Sequence, residues 1–552
     1  MTFTNFIQRL LTGKRSSYFV VLFCILAKSI LIFFYTYTGR DKIYHLSAVY
    51  NFLHGKGWTN SFYYVENINK EVLQPFCFWP AGYGILITPF QLLFGNNFFW
   101  STSLLEVLSF IAFILLCRSI LRLHGTSKMW INISTFLISF ASYDFIEASL
   151  GTDLPGVCFL LGFFYCMLCI FVNKNDADKR SIILYGAIAG VCLFMSALTR
   201  FMYMPVGLLT VLVCLFMAIF QKRKAIMPGI MTTSIVGIGG ILISILAQKT
   251  HCGSPFYIGP EQQRGIYFSN LNYWYPAILS SFVDLNLVGS LLEKFTRISY
   301  MRSFIFFSWI NLALYSAFLF VVLFSIRKYL LVRFKSVSIF TFLGFFISTL
   351  VIVELAYLSL TTAPQIAANG LKWTFLMEGR YFAFVTVFGQ LFFLSVIGSE
   401  NVNWRKIKST RYLLYGILSL MVLNSIHQLY FTAKVASNFS NMKSNDPRAQ
   451  DYVAFELLLK NTIQQNPGKQ ILVAASDEYF SLLASVYKQK GIADPINLTK
   501  TIPVVNTPSI LITVISDYEL SDYTNYLNNR EVHLVGKASN KSFYLQSLQP
   551  AR

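Results

Sequence analysis

Charged residues are scarce in this chain, and acidic residues are the scarcest. Only 13% of the 552 residues are charged, and 25 Asp and Glu stand against 45 Lys and Arg. Soluble domains carry about 25% charged residues, so this composition argues against an ordinary soluble enzyme. With a hydrophobic fraction of 55%, the chain is typical of a polytopic membrane protein.

Metal-binding and nucleotide-binding patterns are also missing. The 6 His residues show no paired spacing, and most of the 9 Cys lie inside apolar runs, where they act as small apolar residues. No glycine-rich phosphate loop opens a helix. We therefore expect no metal and no cofactor. Cys77 and Cys252 both fall in predicted outer loops; coincidence is the favoured explanation of that placement, although a disulfide is feasible.

The excess of positive charge has a membrane explanation. The Lys and Arg residues sit mostly in short loops between apolar runs, as the positive-inside rule expects, and no basic module stands clear of the membrane. This distribution predicts a cytoplasmic N-terminus and no nucleic-acid partner. It also requires that 79–95, which is broken by two prolines and two glycines, does not cross.

The remaining apolar runs predict about eleven transmembrane helices, each near the length of about 20 residues that spans the bilayer. They cover 18–38, 97–117, 129–145, 154–172, 182–199, 203–220, 227–247, 303–325, 338–360, 381–398 and 412–430. A long aromatic loop, 249–302, falls on the outer side. We expect a transmembrane catalytic domain over 1–434 and an extracytoplasmic domain over 435–552.

The C-terminal residues have the composition of a small soluble α/β domain. Helices are predicted at 449–464 and 477–490, and strands at 470–475, 509–515, 532–536 and 542–547. Asp477 and Glu478 stand at a strand-to-helix junction, where acids are favoured by the helix dipole. Helix capping is preferred to catalysis for this pair.

The segment after the first span begins with an acid, Asp41. At 100° per residue, Ile43, Leu46, Tyr50 and Leu53 share one side of a helix, and Asp41, Tyr44, His45 and Ala48 share the other. Such a helix is expected at the membrane surface, with its polar side turned toward solvent or a cavity. Asp41 is either a helix cap or a catalytic acid, and the two roles are compatible.

The topology places several polar residues on the same outer face as Asp41. Asp153 opens the fourth span, Arg200 ends the fifth, Arg380 opens the tenth and Arg264 lies in the long loop. Outward-facing arginines run against the charge bias. Arginines at the mouths of separate spans suit a bound phosphate, which Arg grips bidentately.

The order of motifs resembles the GT-C superfamily, in particular the protein mannosyltransferase and aminoarabinose-transferase type that uses polyprenyl-phosphate sugars. The resemblance covers residues 1–430. Its motifs are Asp41-x-x-Tyr44, Leu53-His54-Gly55-Lys56-Gly57-Trp58, Trp79-Pro80-Ala81-Gly82-Tyr83-Gly84, Leu93-Phe94-Gly95, Thr152-Asp153-Leu154-Pro155, Leu198-Thr199-Arg200 and Gly379-Arg380-Tyr381.

The resemblance implies an inverting glycosyltransferase of the bacterial inner membrane. Asp41 would be the general base, and Asp153 would orient the acceptor or the sugar. The donor phosphate and sugar would be bound by Arg200, Arg380, Tyr381, Arg264, Lys42, Tyr44 and Tyr83. The implied partners are a polyprenyl-phosphate-linked sugar donor and a lipid, glycan or protein acceptor.

The chain also departs from the family pattern. Lys42 stands where many relatives have a second acid, and Trp79 stands where many have His or Lys. A cationic phosphate contact would then come from Lys42, Lys56 or Arg264. Because the acidic pair is lacking, metal-independent transfer is expected.

Alternatives remain open. A lipid-linked oligosaccharide ligase or polymerase shares many spans and a large outer loop, but it would use Arg and His in place of Asp41. A transporter would use ionisable residues inside spans, of which Glu106 and Glu354 are the examples here. For His45 and His54, the interpretation as polar residues of an interfacial helix is preferred to a role as a base or a metal ligand.

Overall fold

The structure is a computed structural model. It describes residues 14–34, 40–77, 79–94, 97–141, 152–172, 179–201, 203–220, 224–254, 294, 365–366, 372–373, 383–398, 408–437, 447–475, 477–493, 498, 503–528, 531–538 and 541–550.

Most of the described chain before residue 440 is helical. The helices are α1 (Lys14–Phe34), α2 (Arg40–Leu53), α3 (Gly82–Leu93), α4 (Phe98–Leu123), α5 (Lys128–Ser139), α6 (Asp153–Val172), α7 (Lys179–Thr199), α8 (Tyr203–Phe220), α9 (Met227–Cys252), α10 (Ala383–Gly398) and α11 (Lys408–Ser437).

Six of these helices are long and apolar enough to cross a membrane: α1, α4, α6, α7, α9 and α11. Three shorter apolar helices, α3, α8 and α10, accompany them. The spans expected at 303–325 and 338–360 lie outside the described residues, so the number eleven stays a prediction. The segment 79–95, which is expected not to cross, contains the short helix α3 with Pro89 inside it.

Most of the helices share one apolar core. Side chains of α1 and of α4 to α11 contribute to it, and Phe113, Leu161 and Phe388 are among those fully buried. Helices α7 and α9 approach most closely where glycines meet: a Cβ on Gly186 would lie 2.3 Å from the carbonyl oxygen of Gly229. Close approach at small residues is how membrane helices gain packing energy, because burial from lipid supplies none.

The C-terminal residues form the predicted α/β arrangement. Its elements are α12 (Pro447–Gln465), β5 (Gln470–Ala475), α13 (Glu478–Val486), β6 (Lys490–Ala493), β7 (Ser509–Ser516), α14 (Thr524–Leu527), β8 (Val532–Ala538) and β9 (Lys541–Leu548). Strands β5, β6 and β7 are parallel, and β9 runs antiparallel to β7. In β5, Ile471 and Val473 point into one core while Leu472 and Ala474 point into the other, which is the alternation of a sheet buried on both faces.

One predicted element in this region is wrong at its end. The helix expected over 477–490 stops at Val486, and 490–493 form β6. Lys488 adopts a positive φ of 61°, and this left-handed conformation ends the helix at a position where the sequence offers no Gly. The Gln489 side chain then accepts a hydrogen bond from the Ile471 amide at 3.0 Å, which fixes the new strand beside β5.

The sheet also contains a hairpin from the first predicted outer loop. Strands β1 (Thr59–Tyr64) and β2 (Asn67–Pro75) are antiparallel, and β1 runs parallel to β6. The resulting seven-stranded sheet has the order β2-β1-β6-β5-β7-β9-β8. The sheet therefore includes residues from both sides of the domain boundary expected at 434/435, and α11 continues past that boundary to Ser437. The boundary stays a prediction. A separate pair, β3 (Gln365–Ile366) and β4 (Lys372–Trp373), lies apart from it.

Candidate functional site

Helix α2 lies between the helical bundle and the C-terminal sheet. Asp41 stands in its first turn and is buried, and Ile43, Leu46 and Val49 belong to a core that also contains Phe455 and Phe480. The helix is where the sequence predicts it. Its polar side, expected to face solvent or a cavity, is instead enclosed by protein. The C-terminal domain packs against a helix that the sequence predicts to lie exposed on the membrane surface.

The side of α2 that faces the bundle carries Lys42, His45 and Val49, which we call the bundle stripe. Lys42 forms a buried ion pair with Glu106 of α4. The ring of His45 lies 5.2 Å from that of Tyr83 in α3. Val49 contacts the turn at Gly84, where an added Cβ would come within 3.3 Å of its methyl group.

Helix α3 reaches this place because two glycines of the Pro80–Gly84 motif lie against neighbours. A Cβ on Gly82 would lie 2.5 Å from the carbonyl of Leu198, at the end of α7, and a Cβ on Gly84 would meet the Trp58 ring at 2.7 Å. Both contacts exclude a larger residue. The motif thus holds α3 between α2 and the residues that precede Arg200.

Asp153 and Arg200 form a second buried ion pair. Asp153 begins α6 and Arg200 follows α7, and the Arg200 Nη2 lies 2.6 Å from the Asp153 Oδ1, with 5% and 0% of the two side chains exposed. Thr152 also accepts a long 3.5 Å contact from the same guanidinium. The sequence places these two residues on one face of the membrane, and the structure brings them into direct contact.

His45 is influenced by the charges of both Asp41 and Arg200. Burial lowers the pKa of its imidazole from 6.5 to about 3; the Asp41 carboxylate opposes this shift and the Arg200 guanidinium adds to it. Both charges therefore act on the same ring. Asp41 precedes His45 by four residues, one helical turn. At neutral pH the imidazole is uncharged.

The opposite side of α2 carries Tyr44, Ser47 and Asn51, which we call the domain stripe. The Tyr44 hydroxyl donates to the Glu478 Oε2 at 2.8 Å, and Ser47 and Ser485 share a hydrogen bond at 3.3 Å. Asn51 donates to the carbonyl of Thr59 at 2.7 Å and to Ser61 at 2.8 Å, in β1. These contacts fasten α2 to α13 and to the hairpin.

The acidic pair at the start of α13 has two different roles. Asp477 caps the helix as predicted, accepting a hydrogen bond from the Tyr479 amide at 3.1 Å. Glu478 reaches out of the domain to Tyr44. Capping thus explains only the first of the two acids.

Cys77 and Cys252 form a disulfide bond. The interpretation of their placement as coincidence is therefore wrong. The bond joins the loop after β2 to the end of α9, and the His251 ring lies 3.0 Å from the carbonyl oxygen of Trp58 beside it. Cys77, His251 and Cys252 lie close enough together to hold a metal ion. The two cysteine sulfurs are bonded to each other, however, and offer no thiolate ligand.

Of the site residues expected from the sequence, the structure gathers Asp41, Lys42, Tyr83, Asp153 and Arg200 at one end of the bundle. Tyr44 is turned to the C-terminal domain. Arg264, Arg380 and Tyr381 lie outside the described residues. His54 follows α2 and is exposed, with its Nδ1 2.7 Å from the Tyr50 carbonyl oxygen.

Two further residues contact the site without having been assigned to it. The sequence identifies Glu106 only as an acid within a span, and it identifies Glu478 only as an acid at the start of a helix. An acid inside an apolar run is a signal for a buried cation partner, and Lys42 is that partner. No local signal in the sequence points from Glu478 to Tyr44.

The comparisons with known proteins agree with this architecture. No family model and no curated protein matches the sequence. The structure is similar to ArnT from Cupriavidus metallidurans bound to undecaprenyl phosphate, with a TM-score of 0.53 and 11% identity over 96% of this chain and 97% of that chain. The apo structure of the same ArnT gives a TM-score of 0.53 at 12% identity, covering 96% and 98%.

The predicted resemblance to the GT-C superfamily is confirmed as a likeness of fold. The chain is a helical, multi-pass integral membrane protein with a small C-terminal α/β sheet region.

Proposed function

We propose that this protein is an inverting glycosyltransferase that moves a sugar, a hexose or a pentose, from a polyprenyl-phosphate donor to an acceptor hydroxyl on the outer face of a bacterial inner membrane. The observation that carries the proposal is the buried Asp153–Arg200 ion pair at 2.6 Å, together with the buried Asp41 in the first turn of α2, in a bundle with the fold of ArnT. The undecaprenyl phosphate in that ArnT structure supports the choice of donor.

Asp41 is the proposed general base. Its carboxylate takes the proton of the acceptor hydroxyl as the hydroxyl oxygen bonds to the anomeric carbon, and the bond from that carbon to the phosphate oxygen breaks with inversion. Polyprenyl phosphate leaves with the electron pair. A positioned base of this kind contributes about 10²–10⁴-fold to a rate.

Cationic groups stabilise the negative charge that grows on the leaving phosphate. Arg200 is proposed for this role, and Asp153, in contact with it at 2.6 Å, fixes the direction of its guanidinium. Lys42, Tyr83, Arg264, Arg380 and Tyr381 are proposed as further contacts to the donor. Tyr44 is a weaker proposal, because its hydroxyl is bonded to Glu478.

The pairing of Glu106 with Lys42 bears on the transporter alternative. An acid within a span that pairs with a lysine at the bundle end needs no ion pathway to explain it. The acceptor remains a lipid, a glycan or a protein, and the transfer is proposed to need no divalent ion, since Lys42 follows Asp41 where a metal-binding pair would have a second acid.

The test is mass spectrometry of the cell-surface glycans and polyprenyl-phosphate sugars of strains with and without the protein. Loss of one sugar from the surface, with accumulation of its lipid donor, supports the proposal; unchanged profiles contradict it. Asp41→Asn should reproduce the deletion, with a rate lowered by about 10²–10⁴-fold, while Asp477→Asn, which keeps a capping side chain, should restore the wild-type profile.

Transfer that persists in Asp41→Asn would favour the ligase or polymerase alternative. Activity that EDTA abolishes and magnesium or manganese restores would overturn the metal-independent mechanism.

A further inference from the structure

Two polar side chains at the contact of α2 and α3 are completely buried and have no hydrogen-bond partner among the described residues. His45 and Tyr83 each have 0% of their surface exposed. Within the described parts of the chain, the two ring nitrogens of His45 have no hydrogen-bond partner, and the Tyr83 hydroxyl has none either. The two rings meet edge to face with their centroids 5.2 Å apart, and the Phe76 ring lies 5.0 Å from the imidazole.

Burying these polar atoms without partners lowers the stability of the fold, which is unexpected for two side chains that serve packing alone. A buried donor or acceptor without a partner costs about 1–3 kcal/mol, and the large majority of buried polar groups in native proteins are paired. Three such atoms meet here on two touching side chains. Phenylalanine would fill either position with no unpaired atom, so the polar atoms point to something that occupies the contact during function.

The chemistry of the two groups narrows the ligand. A neutral imidazole has one donor and one acceptor nitrogen, and the Tyr hydroxyl also both donates and accepts. A sugar hydroxyl donates and accepts as well and can satisfy either group. A phosphate only accepts, so it would leave the imidazole lone pair facing negative charge; the phosphate is better matched by the cationic Arg200 nearby.

We propose that His45 and Tyr83 form a binding site for the hydroxyl groups of the transferred sugar, one helical turn from Asp41. This inference rests on the proposed function and assigns the sugar, not the phosphate, to this contact. His45 is neither a base nor a metal ligand in this assignment. It recognises the sugar as a neutral group.

The experiment compares two lipids that differ only in the sugar. The first is the sugar-linked polyprenyl phosphate that accumulates in a strain lacking the protein, and the second is the polyprenyl phosphate of the same chain length without a sugar. Binding of both is measured on the full chain in detergent, for the wild type, His45→Phe, Tyr83→Phe and His45→Gln.

The wild type should bind the sugar-linked lipid more tightly than the bare lipid. Each Phe variant should lose about three- to tenfold in affinity for the sugar-linked lipid, the worth of one hydrogen bond, and change its affinity for the bare lipid less than twofold. His45→Gln, which keeps a donor and an acceptor, should recover part of the loss.

Thermal unfolding separates binding from packing. Because the Phe variants remove unpaired polar atoms, they should unfold at or above the wild-type temperature. Tyr487→Phe is the matched control: it removes the 2.7 Å hydrogen bond to Glu456, so it should lower the unfolding temperature and leave the preference for the sugar unchanged.

Equal losses for both lipids, an unchanged preference in both Phe variants, or an effect confined to the KM of the acceptor would each overturn the assignment. A wild type that binds the two lipids equally would also overturn it while leaving glycosyl transfer intact. If no lipid donor accumulates at all, the proposed function fails first and the inference fails with it.

Discussion

The two stripes of α2 are made of different chemistry although they belong to one short helix. The bundle stripe meets charges and unpaired polar atoms, through Lys42 with Glu106 and His45 with Tyr83. Among the described residues, the domain stripe meets neutral hydroxyls, a backbone carbonyl and one acid, and each of its three polar residues has a partner there. One side is arranged for a ligand and the other for attachment.

The difference indicates how the C-terminal domain serves the site. Polar groups that are buried without satisfaction must be held in place by something else. For α2 this support comes from α13, β1 and the apolar core they share with it. Changes on the bundle stripe should therefore affect transfer, and changes on the domain stripe should mainly affect stability.

The largest effect is expected at the Lys42–Glu106 pair. Lys42→Met leaves the Glu106 charge buried without its partner and should lower the free energy of unfolding by about 3–5 kcal/mol. The double variant Lys42→Met/Glu106→Leu removes both charges and should recover most of that loss, without recovering transfer. Chemical or thermal unfolding in detergent, together with activity per folded molecule, measures both effects.

A second Lys–Glu pair provides the control. Lys56 and Glu71 also contact at 2.6 Å but remain 34% and 25% exposed. Lys56→Met should therefore cost less than about 1 kcal/mol. A double variant at Lys42 and Glu106 that regains both stability and transfer would show that the bundle stripe is structural.

The next effect is expected in α13. Leu482 is fully buried and lies on the same face of the helix as Glu478 and Ser485, which contact α2. Leu482→Ala should open a cavity there and lower the stability by about 2–5 kcal/mol. Activity per folded molecule should change little, as judged by transfer assays normalised to protease-resistant protein.

Leu534→Ala is the matched control, since Leu534 lies on β8 with its side chain exposed and should have almost no effect on unfolding. Loss of transfer in Leu482→Ala without loss of stability would contradict the division between the two stripes.

The sequence predicts the local parts of this molecule well. The helix at Asp41, the long apolar helices before the aromatic loop, the strand at Gln470–Ala475 and the Asp477 cap all agree with the structure. Each depends on periodicity or composition within a few turns of chain, which is what a sequence pattern reports.

Contacts between distant segments are what sequence patterns leave out. The hairpin that joins the C-terminal sheet pairs Tyr63 with Ile492. Tyr44 and its hydrogen-bond partner Glu478 are separated by 434 residues, and the two cysteines of the disulfide by 175 residues. None of these partners follows from local hydrophobic periodicity. Asp153 and Arg200 are an intermediate case, since their common side follows from topology but their contact does not.

A smaller effect is expected from acid. The folded pKa of His45, about 3, lies below its ordinary 6.5, so the unfolded chain binds a proton that the folded chain refuses. The free energy of unfolding therefore does not depend on this ring above about pH 6.5, and it falls by about 1.4 kcal/mol per pH unit between pH 6.5 and pH 3. Asp41 and Arg200 are the charged groups acting on the ring.

His45→Phe should flatten the dependence of the free energy of unfolding on pH between 6.5 and 4.5. Equal slopes in the wild type and His45→Phe would place the imidazole in contact with water and contradict its burial on the bundle stripe.

The smallest effect is expected at Tyr44, and it decides which stripe this residue serves. Tyr44→Phe removes a hydrogen bond to the Glu478 carboxylate, worth about 1–2 kcal/mol because the acceptor is charged. Glu478→Gln should cost a similar amount, and the double variant little more than either single one, since both changes break the same contact. If Tyr44 instead binds the sugar, Tyr44→Phe will raise the KM for the lipid donor while Glu478→Gln leaves it unchanged, and Tyr44 then belongs to the site and not to the attachment of the domain.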